Sequence, residues 1–313
     1  MRRGLLCVLV IVVVRSTSQS SAFAATESTA NRLIMLGTKG GPSIRTPERV
    51  PTSHALIVNG TAYVIDTGLG VVERLVRVGV PVASIKRVFI THHHSDHNLD
   101  FGALVYTAWA NGLKTPIDAY GPTGLDELVR GVWLANRFDI ETRMADEGRP
   151  DLRKLVLTHE VKEGLVYQDQ SIKVTSLRVK HPPITEAYAY RFDIPGKSIV
   201  FSGDTAYFPP LSEFAKGADV LVHEAMYGPG IEALAKRNPN ADTLLKHLKD
   251  SHTLVEDVGR IAQAAGVKKL VLSHLVPGDD RAITDEVWQR AARTHYSGEI
   301  VVATDGMVIP LER

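Results

Sequence analysis

Short runs of β-branched and aromatic residues alternate along the chain with longer stretches whose apolar residues follow the helical period. The first kind predicts strands, several of them apolar enough to be buried, and the second predicts helices. Because the two kinds are mixed throughout, the pattern indicates an α/β or α+β protein with helices outside the sheets. The predicted strands are Ala55–Val58, Ala62–Ile65, Arg87–Ile90, Ile117–Tyr120, Ile172–Val179, Tyr188–Phe192, Ser198–Phe201, Val220–Val222, Leu270–Leu272 and Glu299–Val302. The predicted helices are Gly70–Val78, Leu99–Asn111, Leu125–Asn136, Pro210–Lys216, Leu254–Ala265 and Asp285–Thr294.

Aspartate or histidine follows six of the predicted strands, at the point where each apolar run stops. Any one of these residues could equally be a turn residue or a hydrogen-bonded surface side chain. Strand ends at one edge of a sheet can converge, however, because a rigid scaffold holds the loop residues in place. Taken together they predict one shared polar site, formed by Asp66, His92, His181, Asp204, His223 and His274.

The segment Thr91-His-His-His-Ser-Asp-His97 offers four metal ligands in one short loop. His92 and His94 are two residues apart at a strand end and can face one ion, while Asp96 and His97 open the next helix. Imidazole nitrogen and carboxylate oxygen are the ligands that zinc and similar divalent ions take when thiolates are absent. Four ligands are too many for a single open site. The loop therefore predicts two ions, held ~3.5–4 Å apart by a bridging carboxylate.

The N-terminal segment has the order of a secretory signal peptide. A basic start, the unbroken apolar run Leu5–Val14 and small residues ending at Ala24 follow one another. The apolar run is about half the ~20 residues that a bilayer span needs, so we expect cleavage after Ala24 rather than a retained membrane anchor. The sequence thus predicts a signal peptide over residues 1–24, one domain over residues 25–313, and a periplasmic or secreted protein.

The charge and the cysteine content limit which partners the protein can bind and which residues can hold a metal. The chain has 36 basic and 35 acidic residues, and loss of three arginines with the N-terminal segment would leave 33 basic residues and a net charge of −2. Because proteins that hold a polyanion usually carry a basic excess, the composition argues against nucleic acid as a partner. Cys7, the single cysteine, would leave as well. Any metal must then be held by histidine and aspartate rather than by thiolates.

At this point the sequence resembles a known family. The THHHSDH segment is similar to the signature of the metallo-β-lactamase superfamily. Its other motifs are matched by Asp66 in Ile-Asp-Thr-Gly, His181 in Val-Lys-His-Pro, Asp204 in Ser-Gly-Asp-Thr and His274 in Leu-Ser-His-Leu. The resemblance covers nearly the whole predicted domain. It implies an α+β fold, the four-layer αβ/βα sandwich, and suggests a homodimer.

The resemblance also implies a ligand set for two divalent ions, zinc by preference and manganese as the alternative. Asp204 would bridge the two ions, and Asp66 would orient the histidine loop by hydrogen bonds. The first ion would take His92, His94 and His181, and the second would take Asp96, His97 and His274.

Three further motifs resemble the ribonuclease Z and arylsulfatase-like branch of this superfamily. They are Leu36-Gly-Thr-Lys-Gly-Gly-Pro42, Val222-His-Glu-Ala225 and Ser251-His-Thr253. The resemblance implies that His252 donates a proton to the leaving oxygen and that Glu224 places or polarises His252; Asp96 joins them as a catalytic candidate. Alternatively, Thr253 and the glutamate three residues later form a capping box at the start of a helix, and both interpretations can hold at once.

The substrate class is the least constrained inference. In the tRNA-processing branch a long arm that grips the tRNA elbow lies between the third and fourth metal motifs, but here only 23 positions separate His181 from Asp204, and a hairpin fills them. We therefore expect an exported dinuclear hydrolase that acts on a small-molecule anionic ester, a phosphodiester or an aryl sulfate, through a hydroxide held between the metals. The alternatives are β-lactam or lactone ring hydrolysis and a tRNA 3′-processing endonuclease-like activity. A binding module without catalysis is disfavoured, because no ligand position is replaced.

Overall fold

The computed structural model of the protein describes residues 30–312. Over this range the chain forms fourteen strands and ten α-helices. The strands are β1 (Arg32–Gly37), β2 (Ser53–Val58), β3 (Thr61–Ile65), β4 (Arg87–Phe89), β5 (Ile117–Gly121), β6 (Val156–Glu160), β7 (Gly164–Gln168), β8 (Lys173–His181), β9 (Ile184–Ile194), β10 (Lys197–Phe201), β11 (Val220–Met226), β12 (Lys269–Val276), β13 (Glu299–Val302) and β14 (Met307–Pro310). The helices are α1 (Val71–Arg77), α2 (Ser95–Asn98), α3 (Phe101–Ala110), α4 (Leu125–Ala135), α5 (Arg137–Glu147), α6 (Pro210–Phe214), α7 (Gly228–Lys236), α8 (Ala241–Ser251), α9 (Val255–Ala265) and α10 (Asp285–Arg293).

Two sheets pack face to face with helices on their outer sides. Among the described residues each sheet has seven strands, in the orders β14-β1-β2-β3-β4-β5-β6 and β13-β12-β11-β10-β9-β8-β7. The layer between the sheets is aromatic, and the Phe89 ring meets the Phe192 ring edge-on at 5.1 Å. The buried Tyr190 hydroxyl donates to the Ile90 carbonyl oxygen at 2.9 Å, so a polar group also joins the two sheets. The order helix, sheet, sheet, helix confirms the predicted α+β sandwich.

Parallel strands bring the loops of the site to one edge. In the first sheet β3, β4 and β5 run parallel, and in the second β10, β11 and β12 do so. Side chains at the carboxyl ends of parallel strands therefore share one edge of each sheet. In β8 the buried positions are Val174 and Ser176 in the first half of the strand and Val179 and His181 in the second half, so the alternation changes phase between them. The alternation of Val179 with His181 buries the His181 side chain at the end of the strand.

Every predicted strand and every predicted helix overlaps an observed one, but several elements were missed. The missed strands β6 and β7 are largely exposed, and β14 has only four residues. β1 was also missed, although its residues from Leu33 to Gly37 are buried. The missed helices α7 and α8 begin at or after turn-forming residues, Gly228-Pro-Gly230 and Asn238-Pro-Asn240. Such residues indicate a loop when the sequence is considered alone.

In residues 30–312 none of the helices combines the length and the apolar character that crossing a membrane requires. The predicted signal segment, residues 1–24, lies outside the described residues, as does Cys7. The proposed boundary between the signal peptide and the domain of residues 25–313 therefore stays a prediction.

Helix α9 begins at Val255, shortly after His252, and packs closely against α10. A Cβ atom added at Gly259 would overlap the backbone carbonyl of Ala292 in α10. We expect Gly259→Ala to lower the free energy of unfolding by about 1–3 kcal/mol, because the two helices would have to separate. Gly131→Ala in α4 is the matched control, since no heavy atom lies within 4 Å of a Cβ added there. That change should stabilise the protein by about 0.5–1 kcal/mol. Denaturant unfolding of both variants measures the difference, and equal effects would contradict the close packing.

Candidate metal centre

The predicted ligands arrive from separate strands and meet at the shared edge. His92 follows β4, His181 ends β8, and Asp204 follows β10. His274 lies inside β12 at a bulge, with a φ of 44°, where the pairing of β12 with β11 shifts register. Bulges of this kind change the direction of a side chain, and here the bulge lies where the His274 ring contacts Asp204.

The first group of potential ligand atoms comes from His92, His94, His181 and Asp204, all within 4.8 Å of one another. His94 Nδ1 lies 3.1 Å from His92 Nε2 and 3.0 Å from His181 Nε2. Burial, and then the neighbouring His181, lowers the pKa of His94 to about 4. Burial likewise lowers the pKa of His92 and of His181. The three rings are therefore neutral near pH 7, which is the form that binds a metal ion.

The second group comprises Asp96, His97, Asp204 and His274. His274 Nε2 lies 3.1 Å from Asp204 Oδ2 and 3.2 Å from Asp96 Oδ2. Burial opposes ionisation of Asp204, but His274 and His97 hold its pKa well below the ordinary value. His97 Nε2 and Asp204 Oδ1 are buried and have no hydrogen-bond partner in the described part of the chain.

A divalent ion fits this arrangement. A buried polar atom without a partner costs about 1–3 kcal/mol, and both orphaned atoms belong to the ligand groups. Imidazole nitrogens and carboxylate oxygens also form the donor set that divalent ions take in thiol-free sites. The cluster is therefore a site for divalent metal ions, as the sequence predicted.

Surrounding groups hold the ligand rings in place. Asp66 accepts hydrogen bonds from the Thr91 backbone N–H at 2.8 Å, the Thr91 hydroxyl at 3.0 Å and His97 Nδ1 at 2.8 Å. The Ser251 carbonyl oxygen accepts from His181 Nδ1 at 2.9 Å, and the Gly41 N–H donates to Asp96 Oδ2 at 2.8 Å. Such partners fix the tautomer and direction of a ligand. Sequence reasoning predicted this role for Asp66 but none for Ser251 and Gly41, which lie in motifs that it singled out and act through the backbone.

His252 lies beside the two groups and is held by Glu224. Glu224 Oε1 is 3.0 Å from His252 Nδ1 and also accepts the Thr205 N–H at 2.9 Å. Burial opposes the charged ring, but Glu224 keeps the pKa of His252 above its ordinary value. The capping-box interpretation is wrong, because the Thr253 hydroxyl donates to the Thr205 carbonyl oxygen and α9 has no side-chain cap.

His223 is the one strand-end residue that does not join the cluster. It lies within β11, which continues to Met226, and its Nδ1 donates to the Glu224 carbonyl oxygen at 2.7 Å. Neither ligand group includes it. The predicted convergence of six strand-end residues therefore fails at this residue, because β11 extends further than its apolar run suggests.

A cleft of about 290 Å³ opens onto both ligand groups. Its lining includes the apolar side chains of Leu234 in α7 and of Leu244 and Leu248 in α8. Lys39 and Arg45 also line it. Pockets of this size accept small ligands or single units of a polymer. Sequence analysis missed this cleft because it missed α7 and α8.

The fold and the site together define a class of protein. A family described as "Beta-lactamase superfamily domain" matches residues 61–275. The protein belongs to the metallo-β-lactamase superfamily and is a metal-dependent hydrolase, as the sequence motifs predicted.

The individual relatives are more specific. Ribonuclease Z of Mycobacterium bovis (strain BCG / Pasteur 1173P2) is 30% identical over 276 residues, which cover 87% of this chain and 95% of the relative. Ribonuclease Z of Mycolicibacterium gilvum is 31% identical over 274 residues, covering 87% and 93%. The crystal structure of the short form of human tRNase Z has a TM-score of 0.65 at 22% identity, covering 90% of this chain and all of that one. The metallo-β-lactamase fold protein YhfI of Bacillus subtilis has a TM-score of 0.66 at 22% identity, covering 90% and 99%.

These comparisons overturn three expectations. The prediction of an exported hydrolase of small-molecule phosphodiesters or aryl sulfates is wrong, because the relatives that match over most of their length are ribonucleases by name. The exclusion of nucleic acid as a partner is wrong for the same reason, and so is the periplasmic or secreted location. The predicted hairpin between His181 and Asp204 is present as β9 and β10, but a hairpin in this interval does not exclude RNA as a substrate.

Asp66 offers a test of how the surrounding contacts support the metal site. An asparagine at this position keeps the left-handed backbone, φ 59°, but has one acceptor oxygen for the three donors that Asp66 now satisfies. We expect Asp66→Asn to weaken zinc binding about ten- to hundredfold while the protein stays folded. Competition with a chromophoric chelator measures the affinity.

Asp118→Asn is the matched control for this measurement. Asp118 also accepts from a histidine at 2.8 Å, His159 Nε2, but neither residue belongs to the metal cluster. Equal zinc affinity for Asp66→Asn and the parent protein would show that Asp66 does not orient the ligands.

Proposed function

We propose that this protein is a two-metal endonuclease that cuts RNA in the manner of ribonuclease Z, at the 3′ side of a tRNA precursor. The observation that carries the proposal is the pair of ligand groups that share Asp204, with His252 and Glu224 placed beside them. The similarity to ribonuclease Z supports the substrate class, because it extends over 87% of this chain and 95% of that relative.

We assign the two ions to the two groups. The first would be bound by His92, His94 and His181, the second by Asp96, His97 and His274, and Asp204 would contact both. Asp204 Oδ2 lies 3.1 Å from His274 Nε2 and 3.7 Å from His92 Nε2, so one carboxylate reaches both groups. Zinc suits sites of imidazoles and carboxylates, and manganese is the alternative.

Bound divalent ions supply Lewis acidity and positive charge, which stabilise the negative charge that develops on a phosphodiester. Hydrolysis forms a bond from a water oxygen to phosphorus and breaks the bond to a ribose oxygen, which leaves with a proton. His252 is placed to donate that proton, because Glu224 holds its Nδ1 and leaves Nε2 for the substrate. The Gly41 N–H donates to the Asp96 carboxylate and holds it in place. Asp96 would bring this carboxylate to the reacting centre as a metal ligand.

Substrate contacts would come from the cleft rather than from an arm. The interval between β8 and Asp204 is occupied by β9 and β10, which leaves no insertion there in the described chain. Lys39 and Arg45 supply positive charge along the cleft. Lys39 is 4% exposed, whereas the Arg45 side chain is 51% exposed although it pairs with Asp279 at 3.5 Å. Arg45 is therefore the more accessible cation for a phosphate.

A tRNA precursor with a 3′ trailer is the direct test. The zinc-loaded protein should contain about two ions per chain and release one trailer fragment. Asp204→Ala should lose most of its metal and lower cleavage by orders of magnitude, because both ions would lose a shared ligand. Elemental analysis and gel-resolved cleavage give the two readouts, with Asp118→Ala as the control. Failure of the parent protein to cut RNA with either zinc or manganese would refute the proposed function, and full activity of metal-stripped Asp204→Ala would refute the two-metal assignment.

The role of His252 as a proton donor can be tested with substrates that differ in their leaving group. A positioned imidazole acid contributes typically ~10²–10⁴ in rate when a poorly acidic oxygen departs. His252→Ala should lower kcat on the RNA by about that factor. It should change the hydrolysis of bis(4-nitrophenyl) phosphate much less, because nitrophenolate leaves without a proton, and the metal content should stay constant. An equal loss on both substrates would remove His252 from the role of general acid.

A further inference from the structure

Helix α8 brings a histidine to the cleft that neither ligand group contains. His247 lines the same cleft as His94, Asp96 and His274. The centre of its ring lies 6.2 Å from that of His94, 6.4 Å from that of His181 and 5.9 Å from that of His252. It therefore stands next to the first group of ligands and next to the proposed acid, without contacting the second group.

The hydrogen-bonding capacity of His247 is largely unused within the protein. Its Nδ1 is 3.4 Å from the Ser251 hydroxyl, which is a long contact, and that hydroxyl already donates to the Pro182 carbonyl oxygen. Burial, and then the charge on His252, lowers the pKa of His247. A neutral imidazole has one donor and one acceptor nitrogen, so it can bond to either kind of oxygen.

The helix that carries His247 is anchored on two sides, so the ring is positioned before substrate arrives. Leu248 packs in an apolar cluster with Met226, Ile231 and Val276. At the end of α8 the Ser251 carbonyl oxygen bonds His181. Side chains on an element that packing and hydrogen bonds fix in this way are suited to binding.

A phosphodiester that reaches both ligand groups has to enter through the cleft. Of the described groups, His247 and His252 are the imidazoles outside the ligand set that face this opening. His252 is bonded to Glu224, whereas His247 has no carboxylate partner within hydrogen-bond distance in residues 30–312. The two histidines therefore suit different roles, since His252 can donate a proton and His247 can bind substrate.

We propose that His247 is a substrate-binding residue that hydrogen-bonds an oxygen of the nucleotide at the cut, either a phosphate oxygen or the neighbouring ribose hydroxyl. The inference rests on the proposed function for its substrate, but it assigns a residue that the metal centre does not use. No bond is made or broken by His247, so its removal should act on binding more than on the chemical step.

The test compares His247→Ala and His247→Gln with the parent zinc enzyme. Loss of a hydrogen bond to a charged group should raise the KM for the RNA about tenfold, with kcat changed by less than about threefold. Glutamine keeps a donor and an acceptor and should recover part of the loss. Metal content and melting temperature should match the parent protein. His295→Ala is the control, since His295 lies between α10 and the start of β13, at the opposite end of the sheet from the site.

Two further substrates identify the oxygen. An increase in KM for bis(4-nitrophenyl) phosphate, which has no ribose, supports contact with the phosphate. An increase confined to RNA, and absent when the ribose at the cut is 2′-deoxy, supports contact with the hydroxyl. An unchanged KM on all substrates overturns the inference while leaving the proposed function intact. A parent enzyme that cuts bis(4-nitrophenyl) phosphate but no RNA refutes the proposed function, and the His247 comparison can still be made on the phosphodiester.

Discussion

The structure depends on burying the carboxylate of Asp204 at the point where the two sheets meet. Asp204 is 2% exposed, and burying an unpaired carboxylate costs several kcal/mol. The chain offsets that cost with surrounding imidazoles, among them His97 and His274. His97 lies in α2, directly after the loop that follows β4, and His274 lies at the bulge in β12, so elements of both sheets have to meet at Asp204. Divalent cations at this site would satisfy the buried atoms that the imidazoles leave without a partner.

The groups around the ligands connect the metal centre to the cleft. The end of α8 does two things at once, since the Ser251 carbonyl oxygen orients His181 and the next residue is His252. One turn earlier the same helix places His247 and Leu248 along the cleft. A change in the sequence of α8 that keeps its last turn can therefore alter what the cleft accepts without moving the ligands. A change in the last turn affects the ligands directly.

Most of the site could be predicted because its signal is local in the sequence. An apolar run followed by Asp204 or His92 marks a strand end, and six such ends suggest convergence. The signal fails where a residue acts through its backbone, as Gly41 and Ser251 do, because no side-chain type is required there. It also fails for α7 and α8, whose turn-forming residues conceal helices that tertiary packing stabilises. His223 was wrongly grouped because the length of β11 depends on pairing with β12.

The net charge of the whole chain does not determine whether nucleic acid can bind at the metal site. A formal net charge of +1, or −2 after the predicted cleavage, says little about a phosphodiester that binds within a few ångströms of the metals. The two proposed divalent ions, set against the carboxylates of Asp96 and Asp204, would leave a charge of about +2 at the centre. Charges in a partly desolvated cleft interact more strongly than the same charges in water. Acidic residues on the far surface are separated from the cleft by more than a Debye length of ~8–10 Å and are largely screened. The proposed recognition of RNA therefore depends on local charge, at the metal site and at cations such as Arg45.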